Sequence, residues 1–240
     1  MPDPLRGKQI VLAGGSGGLG SATAELLAAE GAELIVSYRA NAARAERLAA
    51  IARLVQADLG RSDDRARLLD AAPNLYGLAV FSGDPARVTG PGQLEEQIRR
   101  SGEVNYVGPV LLAREAAARM QARGTEGAIV LLGTMQAAAV FPGSTAYAGA
   151  KAALVAAARV LAKECRGPAN IRVNVVSPGV TAAGMAEASI AAGKYERYIR
   201  ENIVARYGAA LDVARAVRFF LEPDNYITGQ ALTVDGGLTL

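Results

Sequence analysis

The sequence predicts an α/β fold: a single domain over residues 1–240, with a doubly wound sheet of about seven mainly parallel strands and helices on both faces. Short apolar runs alternate along the chain with longer, alanine-rich stretches that have helical spacing. Each run is apolar on both faces, as expected of parallel strands covered by helices. The 240 residues are 51% hydrophobic and contain no internal repeat or Pro/Gly/Ser-rich linker, which favours one large core.

The individual elements follow from these patterns. Seven segments are predicted as strands: 9–13, 33–38, 53–57, 78–82, 128–132, 172–176 and 231–234. Six segments are predicted as helices: 18–30, 41–51, 62–71, 93–123, 147–164 and 211–221. Two stretches, 137–146 and 181–208, fit neither period, and we expect loops or short helices there, where α/β folds carry functional loops.

Composition excludes several classes of function. The net charge is +3, and the 26 basic and 23 acidic side chains are interspersed, so no nucleic-acid surface is expected. No apolar run reaches the roughly 18 residues of a membrane span, and residues 1–6 do not resemble a signal peptide. The chain has no histidine and one cysteine, Cys165, so we expect no metal site and no intramolecular disulfide. A cytoplasmic protein without a membrane partner is the resulting prediction.

A glycine-rich turn follows the first predicted strand and opens the first predicted helix. It reads Gly14-Gly15-Ser16-Gly17-Gly18-Leu19-Gly20. Glycines let backbone N–H groups approach an anion, and the amino end of a helix favours negative charge. The turn therefore suits the pyrophosphate of a dinucleotide. A tight strand-to-helix connection without a ligand is the alternative that this motif alone leaves open.

A tyrosine and a lysine stand four residues apart at the start of an alanine-rich predicted helix. This spacing places Tyr147 and Lys151 on one helical face, about 5–6 Å apart at Cβ. A lysine ammonium that close is expected to lower the phenol pKa from its usual value of about 10. Tyr147 would then be a usable proton donor near neutral pH. Coincidence is the alternative, so the motif needs positional support.

Further residues supply that support, and together the motifs resemble the short-chain dehydrogenase/reductase family over nearly the whole chain. The glycine spacing Gly14-x3-Gly18-x-Gly20 and the Tyr-x3-Lys pair are typical of that family. The other matching positions are Asp58 after the third strand, Asn105 in the long fourth helix, Thr134 at the serine position 13 residues before Tyr147, Pro178-Gly179 after the sixth strand, and the tail 226–237. The resemblance implies a single-domain Rossmann-type fold and a homo-oligomer, either a dimer or a tetramer.

The resemblance also implies that a nicotinamide dinucleotide lies across the carboxyl ends of the strands. Asp58 would contact the adenine, and Val180 with Thr181 would contact the nicotinamide carboxamide. The predicted cofactor-binding residues are Gly14, Ser16, Gly17, Gly18, Leu19, Gly20, Arg39, Asp58, Leu59, Gly83, Tyr147, Lys151, Pro178, Gly179, Val180 and Thr181.

The catalytic roles implied by the resemblance fall on four residues. Tyr147 would protonate the oxygen of a small carbonyl substrate, or take the proton of an alcohol, while the nicotinamide transfers a hydride. Lys151 would bind the nicotinamide ribose and depress the pKa of Tyr147. Thr134 would hydrogen-bond the substrate oxygen, and Asn105 would hold a water or backbone link that resupplies the proton.

Two departures from the family pattern bear on this prediction. The family usually has Asn-Asn-Ala-Gly after strand four, where this chain has Val80-Phe81-Ser82-Gly83. Other packing must therefore replace the usual asparagine support of the central strand. The second departure is Thr134 in place of serine, which keeps the hydroxyl but adds a stiff methyl group.

The end of the second predicted strand bears on the choice of cofactor. NAD-binding relatives usually carry an acid 18 residues after the last loop glycine, and that position here is Tyr38. The next residue, Arg39, can pair with a 2′-phosphate and lie on the adenine ring. Against this, family NADP enzymes often carry a second basic residue where Gly17 stands. We expect NADP, with NAD as the alternative.

The sequence also permits other functions. A non-catalytic dinucleotide-binding sensor or structural paralogue would not need Tyr147 and Lys151. A reductase of activated C=C bonds is a further alternative, although relatives with that activity often have a wider tyrosine-to-lysine spacing. The segment 181–208 is expected to cover the substrate pocket or to pack in an oligomer interface, and the substrate cannot be read from it. Its candidate lining residues are Met185, Ile190, Tyr195 and Tyr198.

Overall fold

The computed structural model describes residues 3–87, 90 and 92–240, and its seven strands form one sheet. The strands are β1 (Gln9–Ala13), β2 (Glu33–Tyr38), β3 (Ala52–Gln56), β4 (Leu75–Val80), β5 (Gly127–Leu132), β6 (Ile171–Pro178) and β7 (Ala231–Val234). Their order is β3-β2-β1-β4-β5-β6-β7, and every neighbouring pair is parallel. The predicted doubly wound, parallel sheet is confirmed.

Helices connect the strands. They are α1 (Gly18–Ala29), α2 (Ala42–Glu46), α3 (Ser62–Asp70), α4 (Leu94–Gly102), α5 (Gly108–Ala122), α6 (Thr145–Glu164), α7 (Glu187–Ala191), α8 (Glu196–Arg200) and α9 (Ala210–Leu221). A π turn, Glu103–Val107, joins α4 to α5, and 3₁₀ turns lie at Met135–Ala137 and Gly184–Ala186. Within the described residues, no helix is both long and apolar enough to cross a bilayer.

The sheet separates two hydrophobic cores. Strand residues alternate between the two faces, so Val11 of β1 packs with Leu112 of α5 in one core. Its neighbours Ile10 and Leu12 pack with Leu27 of α1 in the other. Helices α3, α5 and α6 contribute to the first core, while α1 and α9 contribute to the second. This two-sided burial explains why the strands are apolar throughout.

The largest differences from the predicted bounds concern three elements. Strand β4 starts three residues before the predicted 78–82, because Leu75 already pairs with Gln9 of β1. Tyr76 is buried there, and its hydroxyl donates to the carbonyl of Leu221. Helix α2 ends at Glu46, where the predicted helix continues to residue 51, because the N–H of Leu48 bonds three residues back in a turn. The predicted helix 93–123 is interrupted by the π turn. The stretches 137–144 and 181–208 consist of loops and short helices, as predicted, while residues 145 and 146 belong to the first turn of α6.

The strand order reverses beside β1, whose neighbours are β2 and β4. Open α/β sheets bind ligands at the carboxyl ends of the strands beside such a reversal. The chain leaves β1 there through Gly14, which has a φ of +70°. A Cβ at this position would lie 2.9 Å from the backbone nitrogen of Ser82, so the loop after β1 contacts the loop after β4 directly.

Gly20 should be required for the close packing of the first turn of α1 against Gly15. A Cβ there would lie 2.5 Å from Cα of Gly15, and neither backbone can retreat easily. Gly20→Ala should lower the free energy of unfolding by about 1–3 kcal/mol, as overpacking does. The matched control is Gly17→Ala, where the nearest atom is 3.8 Å from the added Cβ. This variant should lower the free energy of unfolding by less than about 1 kcal/mol. Urea denaturation measures both, and equal losses would contradict the packing described here.

Candidate active site

The glycine loop presents the amino end of α1 at the carboxyl edge of the sheet. The N–H of Gly14 donates to Oγ of Ser37 at 2.9 Å, which fixes the start of the loop. Ser16 is buried and Gly17 is the N-cap of α1, while Gly18, Leu19 and Gly20 form its first turn. The free backbone N–H groups of a first helical turn favour an anion. The loop residues predicted to hold a pyrophosphate are thus together.

A cavity of about 280 Å³ lies beside this loop. It brings together four predicted cofactor residues that are distant in sequence: Gly14, Arg39, Asp58 and Leu59. The residues that complete its lining are Ser37, Ala57, Gly60, Ser82, Glu103 and Val104. Sequence reasoning missed these six. A signal existed for Ser37, because alternate residues of a strand share one face and Ser37 is two residues before Arg39.

The same alternation changes the reading of the end of β2. Ser37 and Arg39 line the cavity, and Tyr38 between them does not. The position at which NAD-binding relatives usually carry an acid therefore holds Tyr38, which does not line the cavity. Arg39 is exposed, and the ion pairs of the described residues do not include its guanidinium. That guanidinium is available to a ligand.

Charged side chains hold the cavity wall formed by Asp58 and Leu59. The N–H of Asp58 donates to the carboxylate of Asp64 at 2.9 Å, and this bond lowers the pKa of Asp64. The carbonyl of Leu59 accepts from the buried Arg65 at 2.8 Å, and Arg65 pairs with Glu115 on α5 at 2.9 Å. The loop after β3 is thereby fixed against α5.

Thr134 and Tyr147 form a pair of hydroxyl groups. Thr134 is buried after β5, and its Oγ1 accepts the N–H of Gln136 at 3.3 Å. Tyr147, in the first turn of α6, is near enough to Thr134 for the threonine hydroxyl to affect the pKa of the phenol. Burial raises the pKa of the Tyr147 phenol above its usual value, the nearby Thr134 hydroxyl opposes that rise, and Tyr195 adds to it. The expectation that Lys151 lowers the pKa of Tyr147 is wrong in this structure, because burial dominates.

Lys151 is directed to the sheet. The side chain is only 2% exposed, and its Nζ donates to the carbonyl of Leu132 at 2.6 Å and to that of Ser82 at 3.5 Å. These carbonyls follow β4 or end β5, so the lysine bridges two neighbouring strands. Burial lowers the pKa of Lys151 to about 7.

Asn105 lies in the π turn and is fully buried. Its amide accepts the N–H of Asp84 at 3.0 Å and donates to the carbonyl of the same residue at 2.9 Å. The second amide hydrogen goes to Oγ of Ser101, whose hydroxyl donates to the carbonyl of Ala146 in α6. All these hydrogen-bonding groups of Asn105, which was predicted to help resupply a proton, are therefore used within the protein. The side chain holds the loop after β4, which lacks the asparagines usual in the family.

The segment after β6 covers the glycine loop. A Cβ on Gly18 would lie 2.9 Å from the nitrogen of Gly184. A Cβ on the predicted residue Gly83 would lie 3.4 Å from the methyl group of Met185. Arg87 fastens this contact by donating to the carbonyl of Met185 and to Oγ of Ser189, both at 3.1 Å.

The predicted residues after β6 form the root of this cover. Pro178 ends β6, and a Cβ on Gly179 would lie 2.5 Å from Cβ of Asp235, so the tail requires glycine there. Val180 and Thr181 are buried, and Oγ1 of Thr181 donates to the carbonyl of Gly179. In this structure the threonine hydroxyl is used by its own backbone.

The aromatic residues of the segment 181–208 stack on each other. The rings of Tyr195 and Tyr198 are 6.3 Å apart, with Lys194 and Arg197 over their faces. Tyr195 also raises the pKa of the Tyr147 phenol. Ile190 is half-buried in α7, and Met185 is 46% exposed.

These features fit a dinucleotide. A glycine cradle, a helix amino end and a cavity with a free guanidinium match a diphosphate and an adenosine. The described residues contain no group of three or more His, Cys, Asp or Glu side chains placed to hold a metal ion.

Comparison with known proteins gives the family. The model of the family described as enoyl-(acyl carrier protein) reductase matches residues 13–239. An NADPH-dependent aldehyde reductase-like protein, chloroplastic, of Arabidopsis thaliana is 32% identical over 260 residues, which cover 98% of this chain and 96% of the relative. The 3-oxoacyl-(acyl-carrier-protein) reductase of Rattus norvegicus is 32% identical over 241 residues, with 97% and 98% covered. A solved structure described as a short chain dehydrogenase/reductase family protein matches with a TM-score of 0.86 and 35% identity, over 98% of both chains.

The chain therefore belongs to the short-chain dehydrogenase/reductase family, and its activity is NAD(P)-dependent oxidoreduction.

Burial of Lys151 predicts a pH-dependent stability. The folded-state pKa is lowered from 10.5 to about 7, so between these pH values the unfolded chain binds more protons. The free energy of unfolding should therefore rise with pH in this window, by up to about 1.4 kcal/mol per pH unit from this group. Below pH 7 both states are protonated and the full destabilisation is present.

Lys151→Met should remove that rise. Urea denaturation at pH 6 to 10, without added dinucleotide, should give a flatter pH dependence in this variant than in the wild type. Lys163→Met, at an exposed position of the same helix, is the matched control and should keep the wild-type slope. Parallel curves for Lys151→Met and the wild type would show that Lys151 is not the titrating group.

Proposed function

We propose that this protein reduces carbonyl compounds with NADPH, and oxidises the corresponding alcohols with NADP⁺, using Tyr147 as general acid and base. The observation that carries the proposal is the neighbouring pair of hydroxyl groups, Thr134 and Tyr147, with the buried Lys151 one helical turn from Tyr147. A pure dinucleotide sensor has no need of such a proton-transfer arrangement. The single domain of residues 1–240 would both bind the cofactor and catalyse the reaction.

The dinucleotide would lie from the cavity beside Arg39, across the glycine loop, to Tyr147 and Lys151. Gly14, Ser16, Gly17, Gly18, Leu19 and Gly20 would hold the diphosphate. Asp58 and Leu59 would hold the adenine, and Gly83, Pro178, Gly179, Val180 and Thr181 would border the nicotinamide half. When bound, the nicotinamide ring supplies or accepts the hydride.

The protein's own residues would handle the proton. Thr134 can donate its hydroxyl hydrogen to the substrate oxygen, because its own oxygen already accepts from Gln136. Tyr147 would then protonate that oxygen as it gains electron density. Because burial raises its pKa, the Tyr147 phenol holds its proton at neutral pH before the reaction. Release of that proton then depends on the opposing charge that Lys151 would supply during turnover.

Lys151 and Asn105 would act around this pair. Lys151 would leave its long contact with Ser82 to bind the nicotinamide ribose, and its charge would then favour the phenolate during turnover. Asn105 would hold the loop after β4 in place through its bonds to Asp84. Resupply of the proton to Tyr147 would then use the backbone of the π turn and not the Asn105 side chain. Such π turns are frequent at functional sites.

Two observations support NADPH over NADH. Arg39 lines the adenosine cavity with a free guanidinium. The last residue of β2, Tyr38, is not an acid, so no carboxylate there would repel a 2′-phosphate. The Arabidopsis thaliana relatives are named as NADPH-dependent aldehyde reductases or as like them.

Reduction of activated C=C bonds is the second candidate, because the matching family model is described as an enoyl-(acyl carrier protein) reductase. The four-residue step from Tyr147 to Lys151 speaks against it, since relatives with that activity often have a wider spacing. The curated relatives named here are aldehyde and 3-oxoacyl reductases. A saturated aldehyde and an enone, tested side by side, separate the two candidates.

The proposal extends to a homo-oligomer, dimer or tetramer, in the cytoplasm. The exposed apolar side chains of Phe219 on α9 and Leu232 on the edge strand β7 are surfaces that a second copy would cover. A lone, buried Cys165 suits a reducing compartment.

The cofactor preference can be tested at Arg39. Arg39→Ala should weaken NADPH binding by about ten- to a hundredfold, because a charge-assisted bond to the 2′-phosphate is lost, and should change NADH binding little. Fluorescence titration measures both constants. Arg44→Ala on α2, outside the cavity lining, is the matched control and should leave the preference unchanged. Wild-type protein that binds NADH as tightly as NADPH would contradict the preference.

A further inference from the structure

One buried hydroxyl group has no explanation in the packing. Within residues 3–87, 90 and 92–240, Oγ of Ser82 is the one buried side-chain nitrogen or oxygen without a hydrogen-bond partner. Buried polar groups in folded proteins are almost always paired, because an unpaired one loses its bonds to water and gains nothing. Relatives usually have alanine at this position, so the fold itself does not require a hydroxyl.

The position of Ser82 points to a ligand. Its backbone nitrogen is the atom that a Cβ on Gly14 would approach to 2.9 Å, so the residue borders the glycine loop. Its carbonyl accepts from Nζ of Lys151 at 3.5 Å, so the residue also borders the catalytic lysine. Ser82 lines the cavity that Arg39 and Asp58 share. It stands between the two halves of the proposed dinucleotide site.

A second serine in the same cavity wall behaves differently. Ser37 is 1% exposed, and its Oγ accepts the N–H of Gly14 at 2.9 Å. That hydroxyl has a structural task in the glycine loop. The two serines line the same cavity and differ in whether the protein itself uses the hydroxyl, which makes Ser37 the internal control for Ser82.

We propose that the Ser82 hydroxyl is a dinucleotide-binding group, which hydrogen-bonds a ribose or diphosphate oxygen in the middle of NADPH. Rotation about χ1 moves a serine hydroxyl between staggered positions, so the shielded oxygen can turn into the cavity. A hydroxyl both donates and accepts, and therefore suits either kind of oxygen. The inference rests on the proposed NADPH site and adds a contact that the usual alanine cannot make.

The test compares Ser82→Ala with Ser37→Ala in protein stripped of dinucleotide. Ser82→Ala should keep or raise the unfolding temperature, because it removes an unpaired buried group, and should weaken NADPH binding about three- to tenfold. Ser37→Ala should lower the unfolding temperature by about 2–4 °C, because the N–H of Gly14 loses its acceptor. Differential scanning fluorimetry and fluorescence titration give the two readouts without any turnover.

Two results would overturn the inference. One is a lowered unfolding temperature in Ser82→Ala, which would mean that the protein already uses the hydroxyl. The other is an unchanged dissociation constant for NADPH in that variant. Failure of the proposed function is distinguishable, because the wild type itself would then not bind NADPH.

Discussion

The site depends on keeping one lysine side chain buried at the carboxyl edge of the sheet. Lys151 extends from α6 to the carbonyls of Leu132 and Ser82, so its position is set by the ends of β5 and β4. Buried lysines are rare unless a carboxylate pairs with them. Lys151 instead donates to carbonyl oxygens, and burial lowers its pKa to about 7, which reduces the cost of burying a charge. Because α6 also carries Tyr147, the helix that anchors the lysine orients the phenol.

The remaining parts of the site follow from the same sheet edge. The reversal of strand order beside β1 leaves the glycine loop next to the loop after β4, and Gly14 closes the distance to Ser82. Asn105 clamps the loop after β4 from the π turn, and Arg87 ties that loop to the segment that covers Gly18. The loop after β4 thus connects the glycine loop with the segment after β6 that covers it.

The sequence predicted the doubly wound, parallel sheet and the motif-bearing loops, because strand periodicity and glycine spacing are local signals. It predicted the start of β4 three residues too late, since the pairing of Leu75 with β1 and the bond from Tyr76 to Leu221 are long-range contacts. It also gave the wrong direction for the pKa of Tyr147, because helical spacing shows proximity to Lys151 and says nothing about desolvation. Ser82 could be recognised only as a departure from the family pattern, since its missing partner is a property of three-dimensional packing.

The central claim, that Tyr147 supplies the proton during hydride transfer, is tested most directly by single-turnover stopped-flow measurement of NADPH oxidation with Tyr147→Phe. The substrate is an aldehyde that the wild type reduces. Loss of the general acid should slow hydride transfer by about 10²–10⁴-fold, while the dissociation constant for NADPH stays within a few-fold of the wild type. A variant that transfers hydride within threefold of the wild-type rate would contradict the account.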